Sequence, residues 1–328
     1  MGLRARSSLL FLVAFCAINC RSASVLSELG LLSVTEGLGL ATYGGERFLN
    51  VTYFDKGSLT GIVKIEGLTG LYDIEPRNQI ILGSSRGPSR YHDGFLDRML
   101  SVRLSIFAIG RGVMGGTGLQ VWPMRAVLSP GAEEVAALFV DAKSYRVSLQ
   151  YGPLSWDSVH EVYSFMLDAN DPERTTLQNY RGENFSWAPD GSRLAYSLGG
   201  TVFIYDTTKQ KASVVAEGAD PGWSPDGQYL AFRSAAGDLA LYDLKSGASR
   251  VLVSGMKVTG FPRWSPDSRY VLFTRLDEKL IFRNPLTLPS TDFMVVRVRD
   301  GATAVVMTPG MNADNDRYYW IRARRGRL

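Results

Sequence analysis

The sequence predicts an all-β chain, a propeller of six four-stranded antiparallel blades, with seven blades as the alternative. Three observations carry that expectation. A Trp-led turn recurs as Trp187-Ala188-Pro189-Asp190-Gly191, Trp223-Ser224-Pro225-Asp226-Gly227 and Trp264-Ser265-Pro266-Asp267-Ser268. Short apolar runs broken by turn residues follow each copy in the same order. The copies are spaced by 36 residues (Trp187 to Trp223) and 41 (Trp223 to Trp264), the length of one propeller blade.

The turn comes first because it fixes the strands on either side. Proline presets φ at the second position of a type I turn, Asp tolerates the third, and Gly relieves the fourth. After the middle copy, Gln228 to Ser234 reads as a strand and Ala235-Ala236-Gly237-Asp238 breaks it. Leu239 to Leu244 reads as another strand, Lys245-Ser246-Gly247 turns, and Arg250 to Val253 closes the unit. The first copy repeats this order through Gly199-Gly200 and Thr207 to Gln210. Clear repeats are therefore expected at 184–220, 221–260 and 261–308.

Fainter copies extend the array over 70–180. Leu128-Ser129-Pro130-Gly131 before Val135 to Phe139 reads as a copy without its Trp, and Ile74-Glu75-Pro76-Arg77 before Gln79 to Leu82 as a weaker one. Asn312 to Asn315 before Arg317 to Ile321 reads as a half-length last copy. Residues 310–328 would then close the ring with strands from the N-terminal segment (Arg47 to Tyr53, Leu59 to Ile65), so that no sheet edge stays open. The 34 Gly and 14 Pro supply the many turns this needs, and the 45% apolar content suffices for a core. One propeller spanning 25–328 is the expected domain.

The repeat resembles that of TolB-type, WD40-like propellers, in which Trp-Ser-Pro-Asp-Gly leads into an apolar strand and then a strand ending in Tyr/Met-Asp before a Gly turn. Here the second element reads Ile204-Tyr205-Asp206, Leu241-Tyr242-Asp243 and Val298-Arg299-Asp300-Gly301. The resemblance is strong over 184–308. It implies work inside a cell-envelope complex with other envelope proteins as partners. This chain passes from its leader directly to strands, whereas TolB carries an α/β domain before its propeller.

The leader is the second signal. Arg4 and Arg6 precede the apolar run Leu9 to Ile18, and Cys20 follows at once. The run is too short to span a bilayer and has the flanks of an export signal. Ala17-Ile18-Asn19-Cys20 resembles a bacterial lipobox of the looser, spirochaete kind, so residues 1–19 would be removed and Cys20 lipidated. Ser22-Ala23-Ser24 offers the competing site, for ordinary signal peptidase and a soluble periplasmic product. Either way the protein is expected in the periplasm, anchored to a membrane in the first case. Cys16 leaves with the leader, so no internal disulfide can form.

Charge excludes one class of function. Net charge is +4, and losing Arg4 and Arg6 leaves +2. No basic run interleaved with aromatics is present, so nucleic-acid binding is not expected. The basic cluster Arg322, Arg324, Arg325 and Arg327 is terminal; a solvated tail is the simple reading, and a grip on phospholipid or cell-wall polymer the functional one.

Few residues suggest catalysis, and no cofactor or metal is expected. Gly83-Ser84-Ser85-Arg86-Gly87 matches a nucleophile elbow, but Gly87-Pro88 breaks the helix that an elbow requires, so a loop between strands is expected. Only His92 and His160 are present, too few for a zinc site without carboxylates from several blades. Asp168 to Glu173 and Asp314 to Asp316 are oxygen-rich but miss calcium-loop spacing. The glycines from Gly110 to Gly118 lack the Gly-Lys-Ser/Thr ending of a phosphate loop and read as a loop between strands. The repeat Trp rings read as wedges between blades, leaving Trp122, Trp156 and Trp320 as carbohydrate-stacking candidates.

One insertion reads as a binding feature. Trp187 to Asp206 and Trp223 to Asp243 span 19 and 20 residues, but Trp264 to Asp300 spans 36. The excess, Leu276 to Thr291, joins the second and third strands of its blade, on the face where binding residues of propellers collect. Asp277, Glu278, Lys279, Arg283 and Asn284 are the candidate partner contacts. The expected function is a non-catalytic envelope scaffold for protein–protein interaction. A metal-dependent propeller enzyme of lactonase or glycan-active kind, for which the clear inner strands offer only Asn184 and Arg263, and a ligand-free surface antigen are the alternatives.

Overall fold

The computed structural model describes residues 22–29, 32, 37–43, 48–53, 58–66, 68–75, 80–86, 102–108, 112–117, 125–141, 144, 146–167, 184–276, 291–307 and 318–322. Apart from a helix over 22–29 (α1), the regular elements are strands. In chain order these are β1 (Leu38–Tyr43), β2 (Phe48–Tyr53) and β3 (Ser58–Lys64), then β4 (Leu68–Glu75), β5 (Ile80–Arg86), β6 (Val102–Ala108) and β7 (Gly112–Gly116). Next come β8 (Arg125–Leu128), β9 (Glu134–Asp141), β10 (Arg146–Pro153) and β11 (His160–Met166), followed by β12 (Phe185–Trp187), β13 (Arg193–Leu198), β14 (Thr201–Asp206) and β15 (Lys211–Trp223). The last are β16 (Tyr229–Ser234), β17 (Leu239–Asp243), β18 (Ala248–Val253), β19 (Arg263–Trp264), β20 (Tyr270–Leu276), β21 (Thr291–Arg297), β22 (Thr303–Met307) and β23 (Tyr318–Arg322).

Pairing is antiparallel throughout. Four sheets have four strands each: β23-β1-β2-β3, β4-β5-β6-β7, β8 to β11 and β19 to β22. A seven-stranded sheet runs from β12 to β18, and it divides at β15. Residues 211–217 of that strand pair with β14, whereas Gly218 to Trp223 pair with β16. The described residues therefore make six four-stranded units, each with one inner strand and three flanking strands.

The six units share a detail that composition does not reveal. In each, the pairing of the third strand with the outermost one slips by a residue, leaving Thr60, Met114, Val162, Val215, Leu252 or Val306 unpaired. A one-residue bulge increases local twist, and it falls at the same step in every unit, including the two whose sequence copies are faint.

The turns behave as their residues require. Gly191 N–H donates to the Ala188 carbonyl and Gly227 N–H to the Ser224 carbonyl, both glycines at φ 72°. Ser268 occupies the same position at φ 59°, and Ala132 does so at φ 58° in the copy beginning at Ser129. Turn Asp residues lock the corner: Ser224 Oγ donates to Asp226 Oδ1 at 2.6 Å, and Ser265 Oγ to Asp267 Oδ1 at 2.5 Å.

Packing between units is made by the Trp residues. Trp187 packs with Val127, Leu149 and Tyr151 of the preceding unit, Trp223 with Ala195 and Val202, and Trp264 with Ala231, Leu239 and Leu241. Burying such a ring is worth on the order of 4–6 kcal/mol at most. These wedges join neighbouring units through side chains.

Four segments depart from the sequence reading, the first being α1, a helix that stands before β1 where strands were expected to follow the leader directly. Ser84 and Ser85 lie inside β5 rather than in a loop, and Gly112–Gly116 forms the outermost strand β7. An outermost strand needs pairing on one side only, so glycines that would weaken an inner strand suffice there. The strand β1 was not anticipated, and it changes the reading of the C-terminus. Because β23 pairs with β1, Tyr318–Arg322 is an inner strand with Trp320 in the repeat Trp position, and Asn312 to Asn315 precede it instead of forming its corner.

Candidate functional site

The six inner strands converge on a cavity of about 160 Å³. Each contributes to its wall: Asp73 and Glu75 from β4, Leu128 from β8, Trp187 from β12, Trp223 from β15, Arg263 and Trp264 from β19, and Tyr319 and Trp320 from β23. Asp73 and Glu75, two apart on β4, share one face of their strand, whereas Arg263–Trp264 and Tyr319–Trp320 are consecutive and reach the cavity from both faces of theirs.

Two indole groups fasten neighbouring inner strands. Trp264 Nε1 donates to the Gly222 carbonyl at 2.8 Å, and Trp320 Nε1 to the Arg263 carbonyl at 2.9 Å, in each case the residue just before the Trp position of the preceding unit. Gly222 is needed for this approach, because a Cβ there would stand 2.5 Å from the Pro262 carbonyl oxygen. The indole N–H groups of Trp187 and Trp223 are buried without a partner.

The wall holds two carboxylates, Asp73 and Glu75, and one guanidinium, Arg263. Asp73 Oδ2 accepts the Leu128 N–H at 3.0 Å, and Arg263 Nη1 lies 3.7 Å from Asp73 Oδ1. Burial holds the Asp73 carboxyl above the ordinary carboxylate range, against the pull of Arg263, the Leu128 N–H and Arg125. The Arg263 guanidinium is sandwiched between the rings of Phe261 (4.4 Å) and Tyr319 (4.3 Å), a favourable setting for a desolvated cation. Its Nε and Nη2 have no hydrogen-bond partner.

Asp73 and Glu75 were not among the sequence candidates, because β4 belongs to the faintest copy; the alternation of Leu71, Asp73 and Glu75 with apolar neighbours was the available signal. Arg263 was expected on an inner strand and lines the cavity. Asn184 lies outside its lining: its amide donates to Asp220 Oδ1, and Arg233 Nε donates to Asp220 Oδ2 at 2.9 Å. Among the described residues no group of three His, Cys, Asp or Glu side chains could hold a metal ion.

The remaining candidates divide into placed and unplaced. The turn residues Pro189, Asp190, Pro225, Asp226, Pro266 and Asp267 sit in the corners after the inner strands. Trp320 is 3% exposed and cannot present a face to a sugar. Trp156 is half-buried against Phe139, with ring centroids 5.7 Å apart. His160 is exposed and stacks on Tyr151 at 5.2 Å. Cys20, Asp277, Glu278, Lys279, Arg283, Asn284, Arg324, Arg325, Arg327, Trp122, His92 and both oxygen-rich loops lie outside the described residues.

Six four-stranded units of described residues around a common cavity, its mostly apolar wall carrying Asp73, Glu75 and Arg263, define a β-propeller. No family model and no curated protein matches the chain. Solved structures do: a TolB structure from Agrobacterium tumefaciens superposes with a TM-score of 0.52 at 14% identity, over 87% of this chain and 98% of that one. TolB from Acinetobacter baumannii gives 0.48 at 16% identity, over 83% and 68%. The first of these likenesses establishes a TolB-type propeller fold.

Proposed function

We propose that this protein is a non-catalytic cell-envelope lipoprotein, a six-bladed propeller that serves as a scaffold for other envelope proteins and is tethered by a lipid on Cys20. The observation that carries the reading is the size and chemistry of the channel. Sites for small molecules occupy roughly 300–1,000 Å³, whereas the cavity among the described residues is about 160 Å³, and one of its two carboxylates, Asp73, already faces Arg263. A partner's side chain or a few waters fill such a space. The TolB-type fold adds support, since the notion of an envelope scaffold arises from the repeat resemblance and the leader points to export. No helix among the described residues is long and apolar enough to cross a membrane, so attachment in this reading depends on the lipid. The insertion carrying Asp277 to Asn284 is proposed as a partner contact, and cell-wall polymer as a further ligand of the arginine tail.

Crosslinking in intact cells, followed by affinity purification and mass spectrometry, tests the scaffold role. A defined envelope protein, recovered with the native chain and reduced on deleting 277–289, supports it. Recovery of no protein partner, or turnover of a lactone or glycan by the purified protein, overturns it.

A further inference from the structure

The cavity wall brings donors and acceptors together without pairing them fully. Arg263 Nη1 and Asp73 Oδ1 are 3.7 Å apart, longer than a hydrogen bond. Arg263 Nε and Nη2 have no partner, although they form the guanidinium edge that Arg297 turns to Asp300 and Arg275 turns to Asp292. In the same wall the side chains of Trp187 and Trp223 are buried and their indole N–H groups also lack an acceptor. Unmet donors therefore stand beside the carboxylates of Asp73 and Glu75.

Size and charge narrow what could complete this wall. A volume of about 160 Å³ is the room of about five waters at ~30 Å³ each, and so of a group with about as many heavy atoms. The half-buried corner prolines Pro130, Pro189 and Pro225 line it, so the cavity reaches the surface at those corners, two of which carry the exposed Asp190 and Asp226. A carboxylate would pass these aspartates and add a further negative charge to Asp73 and Glu75. An ammonium would meet the Arg263 guanidinium and leave the indole and guanidinium donors without an acceptor. A carboxamide offers a carbonyl to the donors and an NH₂ to the carboxylates, and brings no charge into a desolvated site. The chain makes one such set from its own residues: the Asn184 amide and Arg233 Nε both donate to Asp220. No Asn or Gln is among the described residues that line the cavity.

We infer that the cavity receives the side chain of an Asn or Gln from a protein partner, the carboxamide NH₂ donating to Asp73 and its carbonyl accepting from the Arg263 guanidinium. The inference rests on the scaffold role proposed above and names the group by which a partner is gripped. Because the rings of Phe261 and Tyr319 already hold the guanidinium between them, little side-chain freedom is left to lose on binding.

Propanamide, propanoate and propanamidinium are planar probes of one shape that differ in charge and in donors and acceptors. The indole N–H resonances of the full isotope-labelled protein report where each binds, since Trp187, Trp223, Trp264 and Trp320 line the cavity and Trp156 packs on Phe139 instead. Propanamide is expected to shift the cavity indoles saturably and to leave Trp156 in place, with both ions binding roughly tenfold or more weakly. Arg263→Lys keeps the charge but loses the planar fork, and should weaken propanamide by a similar factor; the comparison of probes on the native protein stands whether or not that variant folds. Equal binding of either ion, or no saturable shift with propanamide, overturns the inference. N-acetylglutamine N-methylamide should bind as propanamide does and N-acetylalanine N-methylamide should not; equal binding of these two overturns the side-chain source. Crosslinking in cells separates this inference from the scaffold role beneath it. No protein partner on the native chain overturns both, whereas a partner recovered equally well with folded Arg263→Lys protein overturns the cavity as its grip and leaves the scaffold role standing.

Discussion

Arg297 Nη1 donates to Glu28 Oε1 at 2.6 Å, joining α1 to a strand 269 residues away. Arg297 is 4% exposed and is also held by Asp300 at 2.7 Å. The Tyr270 hydroxyl donates to Glu28 Oε2 at 2.6 Å. That bond, with Arg297, Arg299 and Arg269, holds the Glu28 carboxyl below its ordinary value of 4.5 despite partial burial. A depressed folded-state pKa means that the ionised carboxylate stabilises the fold above about pH 4.5, and that this contribution is lost as pH falls through the folded value. Glu28→Gln should destabilise by about 1–2 kcal/mol at pH 7. Denaturant melts of both proteins should converge as pH drops from 6 toward 3; a gap that does not change with pH would show that the carboxylate charge plays no part.

Trp264 and Trp223 occupy equivalent places but differ in one bond. The Trp264 indole donates to a buried carbonyl and the Trp223 indole has no partner. Both lose ring area on replacement by Phe, but only Trp264→Phe orphans a carbonyl. It should cost about 1 kcal/mol more than Trp223→Phe, measured by urea unfolding monitored by circular dichroism.

How much of this was legible in the sequence depended on where each residue sits in the blade. The corner turns were legible because a type I turn followed by a positive-φ residue has strict chemical needs, which Pro, Asp and Gly meet at fixed positions. The strands β1 and β7 were not, because an edge or flanking strand needs only pairing, which leaves no composition signal; Gly112 to Gly116 reads as a loop by every local rule. Trp320 was misplaced because its neighbour in the sheet, Leu38–Tyr43, lies at the other end of the chain. Asp73 became visible only when β4 was seen to be an inner strand, since its copy lacks Trp, Asp and Gly together. The channel is thus a product of convergence between distant segments, and Arg263 alone marked it.

At the corners, Gly227 has φ 72° and a Cβ there would stand 3.2 Å from Pro189 Cγ of the neighbouring unit. Gly227→Ala should therefore cost about 1–2 kcal/mol. Ser268→Gly removes the same strain at φ 59° but deletes the hydroxyl that accepts the Asp226 N–H at 3.0 Å, so its net effect should lie within about 0.5 kcal/mol of zero. Thermal melts of the two variants check the contrast.

In the channel, Arg263→Met should leave Asp73 buried without its facing cation and cost on the order of 2–3 kcal/mol at pH 7. The Asp73 pKa is already raised by burial, and losing Arg263 raises it further. For an acid with a raised folded-state pKa, the penalty exists above that value and fades as pH falls through it. The variant should recover stability relative to the parent as pH is lowered from 7, whereas parallel pH profiles would place the Asp73–Arg263 contact outside the energetics of the fold.

The inner strand β23 supplies the last and largest expected effect. Tyr318, Tyr319, Trp320 and Ile321 are all at most 3% exposed, and burying four such side chains is worth on the order of 8–10 kcal/mol, comparable to the roughly 5–15 kcal/mol stability of a whole domain. They also reach both neighbours: the Tyr319 hydroxyl donates to the Tyr72 carbonyl at 2.6 Å, the Tyr318 hydroxyl to the Phe261 carbonyl, and the Trp320 indole Nε1 to the Arg263 carbonyl at 2.9 Å. Losing β23 would further expose the pairing edge of β1, whose partners from Leu38 to Thr42 it supplies. A chain ending at Asp316 should therefore fail to unfold cooperatively and should aggregate, while one ending at Arg322, which lacks only the arginine segment beyond β23, should melt within a few degrees of the full protein. Calorimetry of the two truncations separates closure by β23 from any contribution of the tail.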